Sequence, residues 1–344
     1  MINQLQTHQE LQAYNTFNLK ARSEYFIAYS SLEHLKYAIK SIDYQRLDKF
    51  VLGGGSNILL ASDFDGLMLQ PKIMGIEVLK EDDQKVWLKV GAGEVWDDFV
   101  AWCVNQGYYG IENLSYIPGN VGASPIQNIG AYGMEVMDVI EEVQGVSLEN
   151  FEAATFDSSA CKFSYRNSIF KQELKGKFIV HFVTFRLKKK AELILNYGNV
   201  AEELKKYSER SLRTLRKVII DIRKSKLPEP DELPNAGSFF KNPVVNMDVL
   251  DRIKNSYPDV PVYSVSASRS KLAAGWLIDQ CGWKGRGVGK AVVHKKQALV
   301  IINNGVASGL ELLTLAEKVI ASVKEKFGVN LEMEVNVVPS SYQL

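Results

Sequence analysis

Three consecutive glycines at the exit of a strand-like run constrain this chain more than any other feature. Residues 25–60 read as one β-α-β unit: the apolar YFIAY, the amphipathic SLEHLKYAIKSI, then KFVLG running into Gly53, Gly54 and Gly55. A strand ending in such a turn can aim backbone N–H groups at one point and form a nest for a phosphate, with Ser56 and Asn57 adding side-chain donors. The bland alternative is a tight turn and nothing more. The same residues argue against a Rossmann domain, because a dinucleotide fingerprint on Gly53 and Gly55 needs a third glycine where Ile58 stands. Around Gly289-Lys290 a triphosphate loop fails as well, with Lys284 in place of its first glycine and Ala291 in place of Ser or Thr.

Helix and strand patterns alternate beyond the glycines. GLMLQ, GIEVL and VWLKVGAG read as strands, followed by a helix with Trp96, Phe99, Val100 and Cys103 on one face. Residues 109–133, YGIENLSYIPGNVGASPIQNIGAYG, hold no period and are rich in Gly, Pro, Ser and Asn, which predicts a long ordered loop, a class that usually carries function. Glycine there gives access to a flat ligand and proline gives rigidity, although a packed structural loop has the same composition. Strands VQGVSL and FIVHFVTFRLKKK follow, then a charged helical stretch over 199–225 ending at Lys226-Leu227-Pro228, and PEPDELPNAG marks a boundary. In the last part a strand, ALVIINNG, precedes a helix opened by a Ser308 and Glu311 capping box. Leu310, Leu313, Ala316, Val319, Ile320 and Val323 form its stripe, Gly328 stops it, and LEMEVNVV reads as the closing strand.

Composition removes several function classes. With 344 residues, 46% hydrophobic, the chain can bury a core and divide into two or three domains. A net charge of +1 and no long basic run argue against nucleic-acid binding. Three distant cysteines, Cys103, Cys161 and Cys281, indicate neither a disulfide framework nor a metal site and suit a reducing compartment. No leader pattern opens the sequence and no run of about 18 apolar residues occurs, so a cytoplasmic protein without membrane contact is expected.

Four blocks, GGGSN, IPGNVGASPIQNIGAYG, SYRNSIFK and NAGSFFKNP, occur in an order that resembles the UDP-N-acetylenolpyruvoylglucosamine reductases, and the resemblance extends from AYNTFNL at 13–19 to LEMEV at 331–335. It implies an α+β protein: a two-part FAD-binding unit of the vanillyl alcohol oxidase type over 1–68 and 69–225, an α/β substrate-binding domain over 226–333, and a C-terminal strand, 334–344, returning to the active site. It further implies NADPH-dependent reduction of UDP-N-acetylglucosamine enolpyruvate to UDP-N-acetylmuramate, a peptidoglycan precursor, by a monomer. Gly53, Gly54, Gly55, Ser56 and Asn57 would hold the FAD pyrophosphate, and Pro118, Gly119, Ile126 and Gln127 would line the flavin. Neither glycine-rich segment contains His, so the FAD is expected to be non-covalent.

By the same resemblance the catalytic residues are Arg166, Ser238 and Glu334. A guanidinium fork suits a carboxylate and developing negative charge, and a serine hydroxyl can act as an acid toward a strongly basic carbanion within hydrogen-bond reach. Taken alone, Arg166 would be a surface ion pair and Ser238 a turn or cap. Strand alternation puts Glu332 and Glu334 on one face without choosing between them; the resemblance chooses Glu334. Relatives commonly continue Glu-Val-Arg, whereas this chain has Asn336 at the arginine position, which puts any contact made by that arginine in doubt. Substrate contacts fall on Tyr132, Arg223, Lys226, Asn242 and Gln297, with Tyr197 resembling the tyrosine loop of one family type that folds over the diphosphate. Two rival readings are a flavin oxidase of a small alcohol or sugar acid and a nucleotide-sugar-binding protein without turnover.

Overall fold

The computed structural model describes residues 3–190 and 192–342. The chain forms two compact units that interleave in sequence. The first takes residues up to Gln9, then Ser23–Gly54 and Asp65–Ser225; the second takes Glu10–Arg22, Gly55–Phe64 and everything from Lys226. Among the described residues no helix is long and apolar enough to cross a membrane.

Two sheets build the first unit. One has the strand order Gln6–Glu10, Arg22–Tyr29, Phe64–Pro71, Asp48–Val51, the last two parallel. The expected β-α-β unit is present with a short helix, Leu32–Ala38, whose N-cap Ser31 accepts from the His34 N–H. The other sheet is antiparallel, in the order Ala153–Asp157, Ile140–Ser147, Phe178–Lys188, Lys85–Gly91, Ile76–Glu81. Alternation along Lys85–Gly91 buries Val86, Leu88 and Val90 in one core with Trp96, Phe99, Val100 and Cys103 of the helix Trp96–Gln106, the stripe that its 3.6-residue spacing predicts. Trp96 and Phe99 lie 5.9 and 5.0 Å from the Phe185 ring, and burying each such side chain contributes about 1.5–3 kcal/mol. Gly107, at φ 78°, ends that helix in the left-handed conformation glycine favours.

The sequence expects one helix over 199–225, and the structure has two, Val200–Leu204 and Leu212–Lys226. Local hydrogen bonding is the reason: the Ser211 hydroxyl accepts from the Thr214 N–H and starts a new helix. Leu215, Val218, Ile219 and Ile222 then bury one face of it against Val200 and Leu204.

In the second unit an antiparallel sheet runs Asn235–Ser238, Val300–Asn303, Ala291–Val293, Gly287–Val288, beside a smaller one, Val244–Asn246, Arg269–Leu272, Val262–Ser266. The helix Gly309–Phe327 opens on the expected Ser308–Glu311 capping box and closes at Gly328, φ 66°. Its stripe differs from the expectation at one end. Leu310 is 48% exposed while Leu312 and Leu315 are buried, because at 100° per residue Leu310 faces away from Leu312, Ala316, Val319 and Val323. The closing strand also differs: LEMEVNVV makes an isolated bridge from Met333 to Phe240, then a strand only over Asn336–Val338, parallel to Ile58–Leu60. The segment changes partner in mid-run, so a continuous ladder is impossible.

Candidate active site

In the first unit the glycine-rich segments approach one another. A Cβ on Gly54 would stand 3.0 Å from Gly119 Cα, and one on Gly53 would stand 3.5 Å from Ala123 Cβ. The loop containing Gly119 rests on residues 92–96: the Asn120 amide donates to Gly93 O at 2.8 Å, Gly122 N–H to Ala92 O at 3.0 Å, and Trp96 N–H to Gly119 O at 3.0 Å. Gly122 is required there, since its Cβ would lie 2.6 Å from Ala92 Cβ. Backbone from two distant stretches thus packs together, and a side chain at Gly54 would press them apart. On the other side of the turn, Gly55 belongs to the second unit, where φ is 69° and Tyr14 O would be 1.9 Å from a Cβ.

Arg166 stands on a tight turn closed by Ser164 and Asn167, each donating its N–H to the other's carbonyl. Four bonds clasp that turn to the loop, the longest from Arg166 Nη1 to Asn128 O at 3.5 Å. Ser168 Oγ donates to Ile126 O at 2.6 Å, Asn128 Nδ2 to Ser164 O at 3.0 Å, and Arg166 Nη2 to Gly130 O at 2.7 Å. The SYRNS and PIQNIGAYG blocks, some 40 positions apart in the sequence, are therefore one structure, and the Arg166 guanidinium is anchored through both of its Nη atoms.

The substrate candidates of this unit also gather. Arg223, on the helix Leu212–Lys226, donates Nε to Tyr116 O at 3.0 Å, and burial disfavours its charge while the Tyr132 phenol favours it. Burial raises the Tyr132 phenol, and the neighbouring Arg223 opposes that rise. Tyr197, 43% exposed, meets Tyr132 edge to face at 6.1 Å. Asn113 braces both stretches by donating to Tyr132 O at 2.8 Å and Ile194 O at 2.9 Å. Lys226 is not among them: it is the exposed last residue of its helix and belongs to the second unit.

In the second unit Ser238 ends the strand Asn235–Ser238, where a bulge shifts the pairing with Val300–Asn303. Gly237 makes the bulge at φ 69°, with open space around its Cβ position, so its backbone conformation rather than crowding calls for glycine. The Glu334 N–H donates to Phe239 O at 2.8 Å, which sets Glu334 beside the Ser238 strand. Glu332 instead points to solvent and pairs with Lys241 at 2.8 Å. Asn57 and Asn336 lock this strand end: Asn57 Nδ2 reaches Glu334 O at 3.2 Å, and both Asn336 N–H and Nδ2 reach Asn57 O at 3.1 Å. Asn242 Oδ1 accepts the Ala274 N–H at 2.9 Å, and Gln297 Oε1 accepts the Leu299 N–H at 3.3 Å, so each amide has its oxygen in the scaffold.

Nearly the whole chain is matched by known proteins. Residues 23–149 match the family model of an FAD binding domain, and 229–338 match the UDP-N-acetylenolpyruvoylglucosamine reductase C-terminal domain. The chain is 44% identical to the UDP-N-acetylenolpyruvoylglucosamine reductase of Flavobacterium johnsoniae across 97% of its own length and 100% of that protein. It belongs to the UDP-N-acetylenolpyruvoylglucosamine reductase family. A member from Bacteroides fragilis is 45% identical over 95% of this chain and 98% of its own. The crystal structure of the Thermus caldophilus reductase shares the fold, with a TM-score of 0.66 and 22% identity over 98% of both chains. In this family member the FAD-domain match contains both glycine-rich segments, and the C-terminal match contains Ser238, Asn242, Gln297 and Glu334.

Sequence reasoning did not single out Asn128, Ser168 or Asn120, whose side chains hold the loop, nor the role of Asn336. The available signal was a run of amides and hydroxyls in a segment without apolar period: such groups have no core to fill and instead satisfy loop backbone.

Proposed function

We propose that this chain reduces UDP-N-acetylglucosamine enolpyruvate to UDP-N-acetylmuramate in the cytoplasm, with NADPH as the reductant and non-covalent FAD held by Gly53 to Asn57, Pro118, Gly119, Ile126 and Gln127. Gly54 packs so closely on Gly119, whose Cα would be 3.0 Å from a Cβ, that the two glycine-rich segments proposed to hold the cofactor lie side by side. When bound, FAD supplies the hydride relay between NADPH and the enolpyruvyl group. Reduction of that group at C3 leaves negative charge on C2 and its carboxylate. Arg166, oriented by its bonds to Gly130 O and Asn128 O, would stabilise this charge. Ser238 would give its hydroxyl proton to C2, and Glu334 would share a proton with the enol-like intermediate. Tyr132, Arg223, Lys226, Asn242 and Gln297 would answer the carboxylate and diphosphate, with Tyr197 folding over the latter. We read 1–68 and 69–225 as the FAD-binding part, 226–333 as the substrate domain and 334–344 as the returning strand, in a monomer that engages neither nucleic acid nor membrane.

The observation that carries the assignment of acid and glutamate is the 2.8 Å bond from Glu334 N–H to Phe239 O, which makes neighbours of two residues nearly a hundred positions apart. The Ser238→Ala variant tests it by anaerobic stopped flow. Flavin reduction by NADPH should persist while reoxidation by the enolpyruvyl sugar slows by about 100-fold or more. Equal loss in both half-reactions would contradict the role of Ser238. A wild-type flavin that stays reduced until oxygen is admitted would favour an oxidase.

A further inference from the structure

Tyr116 directly precedes Ile117-Pro118-Gly119, and its backbone has φ 61°, a conformation a tyrosine does not hold unaided. Both flanks of the residue are gripped. Its N–H donates to Asp97 Oδ1, in the first turn of the helix Trp96–Gln106, and its carbonyl accepts Arg223 Nε at 3.0 Å. The Asp97 carboxylate is itself fixed by a bidentate fork from Arg216, Nη1 to Oδ1 at 2.6 Å and Nη2 to Oδ2 at 2.8 Å. Arg216 and Arg223 are seven residues apart on the helix Leu212–Lys226 and so face the same side. The Lys224 ammonium lies 5.2 Å from the Tyr116 ring centroid. One helix thereby holds a single strained residue from both sides, directly through Arg223 and through Asp97 from Arg216.

We propose that Asp97 and Arg216 are positioning residues for the cofactor, setting the left-handed turn at Tyr116 and hence the course of the segment that faces the flavin. The inference rests on the FAD reading above. The ion pair is only partly exposed, 16% for Arg216 and 24% for Asp97, so its fork is protected from solvent competition and geometrically specific. What matters at Tyr116 is an oriented acceptor for its N–H. Asparagine keeps the Oδ1 acceptor but turns an Nδ2 donor toward Arg216 Nη2, whereas alanine removes the acceptor altogether.

The test is a titration of apoprotein with FAD, read by quenching of flavin fluorescence, on wild type, Asp97→Asn, Asp97→Ala and Arg216→Ala, at a temperature where each is folded by circular dichroism. Asp97→Ala and Arg216→Ala should each raise the FAD Kd about tenfold or more and blue-shift or broaden the bound flavin band, while Asp97→Asn, which keeps one acceptor, falls between them and wild type. In the Asp97→Ala/Arg216→Ala double variant the losses should be much less than additive, since both changes release one acceptor. Wild-type FAD affinity and spectrum in the alanine variants, with only a lower Tm, would reduce the pair to a structural role and overturn the proposal. A variant that fails to fold leaves Asp97→Asn and Arg216→Lys to decide: a raised FAD Kd in both at little change in Tm supports positioning, and wild-type Kd and spectrum in both overturn it. None of these readouts uses the enolpyruvyl sugar. A wrong substrate assignment would therefore leave the FAD result standing, and a wrong cofactor assignment would show in wild type as no quenching at all.

Discussion

Tyr116, Asn128, Tyr132 and Arg166 all have φ between 47° and 61°, and all four lie in or against the loop that carries the site. Left-handed backbone costs a bulky residue about 1–3 kcal/mol, so each must be held by its surroundings. Asn128 shows how. Its buried amide donates to Glu135 Oε2 at 2.8 Å and Ser164 O at 3.0 Å, and its Oδ1 accepts the Met137 N–H at 3.0 Å. Asn128→Ala should cost about 2–4 kcal/mol in denaturant unfolding, because it leaves buried partners unsatisfied at a position where alanine is strained. A second residue sets a pH dependence. His181 is buried with Nε2 3.1 Å from the Tyr29 hydroxyl, and burial lowers its pKa from 6.5 to about 4, opposed only by the charge of Glu33. Between those values the unfolded chain binds a proton that the native one refuses, so stability is complete above pH 6.5 and falls as pH drops toward 4. The loss should approach ~3 kcal/mol by pH 4, and a His181→Gln variant should show a flatter profile in chemical denaturation between those pH values.

At the scale of elements, spacing located Leu32–Ala38, Trp96–Gln106, the helical region around 199–225 and Gly309–Phe327 but not Met247–Ser256 or Ala274–Gln280, and a side-chain cap opens the first and the last of those located. Ser308 accepts the Glu311 N–H at 3.2 Å while Glu311 accepts the Ser308 N–H at 2.7 Å. Ser308→Ala should therefore lower stability by about 1 kcal/mol, seen as a fall in urea midpoint at constant m-value. Leu310→Lys, on the exposed side of the same helix, should change it by less than about 0.5 kcal/mol. Two elements behaved differently. The break at Ser211 came from a local side-chain bond that period analysis does not weigh, and the closing strand was cut short by its own exchange of partners.

At the scale of the molecule, the second unit is assembled from three stretches of chain, and its parallel pair joins Ile58–Leu60 to Asn336–Val338 across most of the sequence. Ala61 N–H adds a further bond to Val338 O at 2.8 Å. A chain ending at Val335 loses every one of these partners. By hydrogen exchange its amides at Ile58–Leu60 should lose protection, while the five-stranded sheet of the first unit keeps its own. Equal loss in both would show one cooperative unit instead of two. By itself the sequence determined the mixed α/β composition, the absence of a Rossmann turn at Ile58, the helix stripes, the Gly328 stop and, through its four motif blocks, the family. These are local properties, written in side-chain period and in the few residues that tolerate unusual backbone. Only the tertiary structure decided that Ser168 and Asn128 clasp the Arg166 turn to its loop, that Glu332 pairs with Lys241 while Glu334 sits beside the Ser238 strand, and that Asn336 binds Asn57. Each of those is a hydrogen bond between groups far apart in the chain. No local pattern encodes such a bond, because its partner is chosen by how the chain closes on itself.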